Sequence, residues 1–344
     1  MIPHTILMKK PLWLLAVGSW LLAISLLSSI YYLVSIVGAQ GDEFSLGIYP
    51  PILEINTEPP ANIEASINIQ NLSDLPQNLK IILKPFRPSE RGDGTLRHLN
   101  EGTIEQPDLL ILQKIKIYDQ ENALDILSLD PFESRELTLK INLDSDDPLG
   151  DYYFSVIFVS QETQDTDVSQ SQAPGGIGTN VILSVGQKGV VQGEIKEFSI
   201  PRILGSGPVP ITLWLQNNSS HYVLPTGRII IQDMLGREAG QVSILPQHVL
   251  ANSARFMIDT DQASPSASLE DQISRLSKKH AVLIWPKKFL FGLYTAYAHV
   301  KLSENGPVFE TKTSFIALPT YMLFVISFMA FVLIGIYLRV KRKI

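Results

Sequence analysis

The chain has 344 residues, no cysteine and six histidines, with 28 basic against 34 acidic side chains and a net charge of −6. The missing thiolates exclude a disulfide framework and a cysteine-ligated zinc site. All 34 acidic residues fall within 40–317, where only 22 basic residues stand against them, so this middle portion carries −12; it is no partner for nucleic acid or for a broadly anionic lipid surface.

In chain order, Leu12 to Val37 is a 26-residue stretch without a charge, preceded by Lys9 and Lys10. Residues 1–39 read either as a signal peptide, with Val37 and Ala39 at positions −3 and −1 of a cleavage site, or as an N-terminal membrane anchor. The body that follows alternates apolar and polar residues. Ile63 to Gln70, Leu137 to Leu143 and Ile211 to Gln216 show period two, which places one strand face on a core and the other in water. Phe154 to Val159 and Val181 to Val185 are more uniformly apolar and predict strands buried more completely. Between them Gln161 to Asn180 is polar and predicts a long hairpin loop. Ser268 to Lys279 predicts a short helix, with Leu269, Ile273 and Leu276 on one face. Leu318 to Leu338 is a second uncharged stretch; a helix of that length spans about 30 Å, enough for a bilayer core. Arg339, Lys341, Arg342 and Lys343 follow it and predict a cytoplasmic tail.

The body repeats. Ile67-Asn-Ile-Gln70-Asn71-Leu-Ser73 matches Leu213-Trp-Leu-Gln216-Asn217-Asn-Ser219. After each copy comes Gly-x-Tyr, at Gly150 to Tyr152 and at Gly292 to Tyr294, 80 residues after Gln70 and 76 after Gln216. The fold class predicted is all-β: two tandem immunoglobulin-like sandwiches over 44–187 and 188–317, each with a tyrosine corner, followed by a transmembrane helix at 318–338 and a basic tail at 339–344. The Asn-x-Ser triplets at Asn71, Asn217 and Asn218 are glycan-acceptor patterns, but their place at strand ends favours turn chemistry.

Catalytic patterns are missing from the sequence. There is no Gly-x-Ser-x-Gly, no His-Glu-x-x-His and no phosphate-binding Gly-x-x-x-x-Gly-Lys, and Gly175-Gly-Ile-Gly178 precedes a strand where a dinucleotide site needs a helix. Asp144-Ser-Asp146-Asp147 lacks the ligand spacing of a calcium loop. The reading is of a protein that is not an enzyme and has no catalytic residue, cofactor or metal. One stretch departs from the acidic background: Lys84 to His98 holds Phe86, Arg87, Arg91 and Arg97, which fit a ligand-binding loop for an anionic or carbohydrate ligand, with arginine forks and an aromatic face. The same stretch also fits a solvated loop with local ion pairs.

The arrangement resembles the WxL-interacting protein family of bacterial cell-surface proteins. Ile48-Tyr-Pro50-Pro51, Ile67 to Asn71, Leu149 to Tyr152, Gly292 to Tyr294 and the step from Phe315 through Pro319 into an apolar segment carry the resemblance over about 44–344. The chain departs from the family at Tyr152-Tyr153-Phe154 and at Lys84-Pro-Phe86. The resemblance implies a first sandwich that binds peptidoglycan, a second that binds other surface proteins, and a C-terminal helix in the lipid bilayer. The expected function is that of a membrane-anchored cell-surface adhesion or scaffold protein, single-pass after signal cleavage, with an extracellular ectodomain. The alternative is a chaperone-like ectodomain subunit of a membrane secretion or pilus-like complex.

Overall fold

A computed structural model describes residues 45–161, 175–258, 283–304, 306–319, 327–329, 331–335 and 339. The predicted segment 1–39 and the predicted helix at Ser268 to Lys279 lie outside the described residues, as does most of the Gln161 to Asn180 segment. Within 318–338, residues 327–329 and 331–335 are helical; among the described residues no helix is long and apolar enough to cross a membrane.

The first half supplies β1 (Leu46–Tyr49), β2 (Ile52–Thr57), β3 (Ala61–Asn71), β4 (Gln77–Pro88), β5 (Leu96–His98), helix α1 (Gln106–Gln113), β6 (Ile115–Asp119), β7 (Asn122–Ala123), β8 (Ile126–Leu129), β9 (Ser134–Leu143), β10 (Gly150–Ser160) and β11 (Gly176–Val185). One sheet runs β1-β3-β9-β6-β7 and the other β2-β11-β10-β4-β5, with β8 also on β4. The second half supplies β12 (Gly193–Ser199), β13 (Ile203–Leu204), β14 (Val209–Asn217), β15 (Thr226–Asp233), β16 (Glu238–Ile244), β17 (Ala254–Phe256), β18 (Leu283–Trp285), β19 (Gly292–Lys301) and β20 (Val308–Ala317). Its sheets run β12-β14-β17, with β18 also on β14, and β13-β20-β19-β15-β16.

The halves share one immunoglobulin-like plan. In each, the opening strand breaks at prolines and changes sheet: β1 lies antiparallel on β3 and β2 parallel on β11, as β12 lies on β14 and β13 parallel on β20. Period two places the core. In β3, Ile67 and Ile69 point inward and are fully buried, while the residues between them are exposed. In β14 the same role falls to Ile211, Leu213 and Leu215. Leu137, Leu139 and Ile141 of β9 meet Phe154, Val156 and Phe158 of β10 in the first core.

The repeated Gln-Asn-x-Ser unit is a buried hydrogen-bonding plug. Asn71 Oδ1 accepts the Ser73 N–H at 3.0 Å, and its Nδ2 donates to the carbonyls of Leu75 at 2.7 Å and Asp130 at 3.0 Å. Asn217 Oδ1 accepts the Ser219 N–H at 2.9 Å, and its Nδ2 donates to the carbonyls of His221, Val249 and Leu250 at 2.8 to 3.0 Å. Both amides are fully buried, so these asparagines hold turns and are out of reach of a glycosylating enzyme. The tyrosines also match: Tyr152 donates to the Pro148 carbonyl at 2.7 Å, and Tyr294 to the Phe291 carbonyl at 3.3 Å.

Two local features differ from the sequence reading, and a third is local to Trp285. Helix α1 interrupts the first sandwich, started by Pro107 in its first turn; the run Leu109-Leu-Ile-Leu112 has no helical periodicity that would have announced it. Strand β11 begins at Gly176, because its glycines and Thr179 continue the ladder on β10 as far as Val159. Trp285 is buried against Tyr294, with ring centroids 6.0 Å apart, although a proline follows it.

The asparagine plug gives a sharp test. Asn217→Ala removes four hydrogen bonds, leaving the His221 carbonyl and the Ser219 N–H without a partner while the Val249 and Leu250 carbonyls keep the Val223 N–H and the Ser253 hydroxyl, and is expected to cost about 2–4 kcal/mol in urea unfolding. Asn218→Ala, one residue on and exposed, is expected to stay within about 0.5 kcal/mol of the parent.

Candidate partner-binding site

The uniform apolar runs of β10 and β11 have a direct cause. One face of each strand fills the first core, while Tyr153 and Ile182 on the other face pack with Phe86 against Tyr222 and Leu250 of the second sandwich. Each strand is therefore covered on both sides over Tyr152 to Val156 and Val181 to Val185, while Ile157 and Val159 further along β10 are only half-buried.

A polar clasp surrounds this plaque. Asp151 Oδ2 accepts the Tyr222 backbone N–H at 2.6 Å and the Tyr153 hydroxyl at 2.8 Å, and its Oδ1 accepts the Ser184 hydroxyl at 2.6 Å. The Tyr153 oxygen in turn accepts the Ala251 N–H at 3.0 Å. Tyr222 donates its hydroxyl to Glu54 Oε2 at 3.0 Å, while His248 Nε2 lies 2.8 Å from Glu54 Oε1, in ion-pair range but not aligned for a hydrogen bond. Burial pushes the Tyr222 phenol up to about 12 and the Tyr153 phenol further up, so both stay protonated as donors. The Lys188 ammonium caps the Tyr222 ring at 3.8 Å.

The predicted ligand loop joins this junction. Lys84 to Pro88 continue strand β4, and Leu96–His98 return antiparallel on Phe86 to Pro88. The tip docks on the second sandwich: the Phe256 N–H donates to the Gly92 carbonyl at 2.7 Å. Gly92 has φ of +70°, and a side chain there would meet Trp214 Nε1 at 3.2 Å and the Ala254 carbonyl at 3.3 Å, so only glycine fits. Trp214 stacks on Phe256 at 4.8 Å beneath this tip and is not in the second core.

Of the four residues singled out by sequence, Phe86 is buried in the junction, stacked at 6.0 Å on Tyr153, and offers no face to a ligand. Arg87 is held by Asp108 of α1, with Nη2 to Oδ2 at 2.6 Å. Arg91 and Arg97 are exposed, and the four do not converge on a pocket. The acidic turn at Asp144 to Asp147 is closed by Lys114, whose Nζ lies 2.6 Å from Asp144 and 2.8 Å from Asp147. Among the described residues no cluster of three or more His, Asp or Glu side chains has metal-binding geometry.

Two features beside the junction were not read from sequence. The first is a groove of about 970 Å³, lined by Lys188, Val190, His221, Leu224, Lys301 and Pro307 among others. Burial lowers the pKa of the His221 imidazole, whose Nδ1 has no hydrogen-bond partner. The second is a bare sheet edge. Strand β20 is paired on β19 along its whole length, but on its other side β13 covers only Ile316 and Ala317. The Ile316 N–H donates outward to the Arg202 carbonyl. Alternation then turns the N–H and C=O of Val308, Glu310, Lys312 and Ser314 outward as well, with no strand on them among the described residues. The first sandwich repeats this in brief: β2 covers β11 only from Asn180 onward, leaving the outward backbone groups of Gly176 and Gly178 unpaired by any described strand.

No family model matches the chain, and no curated protein matches it. Among solved structures it is similar to a chaperone and tip-adhesin complex of CFA/I fimbriae, at 11% identity and a TM-score of 0.36 over 80% of this chain and all of that one. It is also similar to the class 5 fimbrial chaperone CfaA, at 12% identity and 0.34 over 80% and 100%, and to a Salmonella enterica SafA pilin complex with the SafB chaperone, at 8% identity and 0.34 over 79% and 97%. At TM-scores of this size no function is inferred from the likeness.

Two outcomes are expected of the junction. Asp151→Ala strips three donors of their acceptor and is expected to destabilise the chain by roughly 2–4 kcal/mol and to split its calorimetric unfolding into two transitions. Acid acts through His221 and His98, both held below the ordinary 6.5 by burial. The unfolded chain then takes up protons that the folded chain refuses, so stability falls as pH drops below about 6.5. His98→Gln with His221→Gln is expected to flatten the dependence of Tm on pH between about 7 and 5.

Proposed function

We propose that the chain is a non-catalytic, membrane-held binding protein whose paired sandwiches receive an extended segment of a partner protein by strand addition. The observation that carries this reading is the bare edge of β20, where outward backbone groups recur at every second residue from Val308 to Ser314. An unpaired edge of this length is a template for another strand. Exposed side chains at those same positions, including Glu310 and Lys312, would set register and discourage promiscuous pairing. The clasp at Asp151 supports the reading, because a fixed junction holds the first sandwich in one place beside the second, which carries both the edge and the groove. This favours the chaperone-like or assembly-subunit form of the function over a free-standing adhesin. Tethering through 318–338 would confine partner and receptor to one surface and raise their effective concentration.

A second reading, attachment to cell-wall polymer, is favoured by one observation: Arg91 and Arg97 are exposed on a hairpin in an otherwise acidic chain.

The edge can be blocked without disturbing the ladder. Proline at Lys312 removes an outward N–H and spares the bonds to β19, whereas proline at Thr311 breaks one of them. With a photocrosslinking residue at Glu310 of the full chain in its own cells, a single protein adduct is expected, and Lys312→Pro is expected to reduce it about ten-fold while Tm moves by only a few degrees. An unchanged adduct in the Lys312→Pro chain would sink strand addition. Adducts only from Arg91 and Arg97, with wall polymer, would favour the second reading.

A further inference from the structure

The end of the second sandwich remote from the junction is apolar where solvent would be expected. Strand β19 runs from Gly292 at this end to Lys301 beside the groove. Ten residues of strand cover roughly 30 Å. At the remote end Met234 and Leu235 occupy the turn after β15, Phe289 and Phe291 the loop into β19, and Leu293 and Ile316 face each other across the β19–β20 ladder. All six are exposed, Leu235 at 69% and Phe289 at 57%. The ladders bring them together: Asp233 pairs with Tyr294, Leu293 with Ile316, and Ile316 with Ile203, while a Cβ on Gly292 would lie 2.5 Å from the Met234 methyl. Scattered single apolar residues on a surface need no explanation, but a contiguous group on one end does.

The charge around this end differs from the acidic surface elsewhere. Arg202, Arg237, Lys287 and Lys288 are exposed there, against Asp233 and Glu238; Arg237 Nη2 pairs with Asp233 at 2.8 Å. The polypeptide also leaves the sandwich here. Ala317 pairs with Gly292, and the next residue, Leu318, opens the uncharged stretch that runs to Leu338.

We propose that this end is a bilayer-docking face, with Leu235, Phe289 and Phe291 seated among lipid headgroups and the lysines and arginines at its rim against their phosphates. The proposal rests on the reading of 318–338 as a membrane tether. It adds that the second sandwich stands directly on the bilayer. Apolar side chains at a rim of cationic ones suit the interfacial zone, where insertion of about 5–10 Å removes them from water without desolvating the charges. With no spacer between Ala317 and the apolar stretch, the tether would bring this end to the surface and no other. The junction, the groove and the start of β20 would then lie a strand's length from the lipid.

The absence of cysteine makes the test direct. Single variants Leu235→Cys, Phe289→Cys and, on the exposed β6–β7 turn of the first sandwich, Glu121→Cys are made in the full chain and labelled with an environment-sensitive fluorophore. The protein is reconstituted into vesicles of phosphatidylcholine and phosphatidylglycerol, with or without a nitroxide-bearing lipid. The labels at 235 and 289 are expected to lose about half their emission to the nitroxide and to shift to the blue, while the label at 121 is unaffected. Phe289→Asp with Phe291→Asp is expected to restore emission at 235. Labels that stay fully quenchable by aqueous iodide, on a chain that resists alkaline extraction, overturn docking and leave the tether standing. Release of the chain by alkali overturns the tether and the docking together. Labels shielded from nitroxide and iodide alike assign the face to protein, such as a second copy, and also overturn the proposal.

Discussion

Asp151 sits where two sandwiches that could have been independent become one body. Its carboxylate accepts a backbone N–H of the second sandwich and hydroxyls of the first. A charged acceptor in a partly buried place holds such donors more strongly than a neutral one. The apolar plaque of Phe86, Tyr153, Ile182, Tyr222 and Leu250 beside it supplies the non-directional part of the contact. The carboxylate fixes the angle at which that plaque can form. The groove borders the same contact, through Lys188, His221 and Tyr222.

Local pattern made much of the fold legible. Ile67 and Ile69, like Leu213 and Leu215, alternate with polar neighbours and fill the cores that period two assigns them. The Gln-Asn-x-Ser repeat marks the same buried turn in both halves, because only a short amide can accept from the residue two ahead and donate to carbonyls across the turn. Gly-x-Tyr marks the same strand in both. Such signals are visible because the residues that cooperate are close in sequence.

The junction was not legible for the opposite reason. Asp151 meets Tyr222 across 71 residues and Glu54 meets Tyr222 across 168, and no local periodicity encodes either pairing. The one hint was the mostly apolar character of Phe154 to Val159 and Val181 to Val185, which announced fuller burial without saying what supplied it. Phe86 and Arg87 show the matching error. An aromatic ring beside a cation fits a ligand loop and a packed hairpin equally well, and the deciding contacts, with Tyr153 and Asp108, are 67 and 21 residues away. The bare edge of β20 was hidden because its exposed and inward residues alternate as in any strand; what distinguishes it is a neighbour of only two residues, Ile203 and Leu204.

The double-sided cover of β10 and β11 has a consequence for how this chain can be divided. Separating the halves would bare the rings of Phe86 and Tyr153 and the side chain of Ile182, turning a tightly fitted seam into a sticky, greasy panel. Neither half is therefore a module that could be traded into another protein unaltered: each is the other's lid.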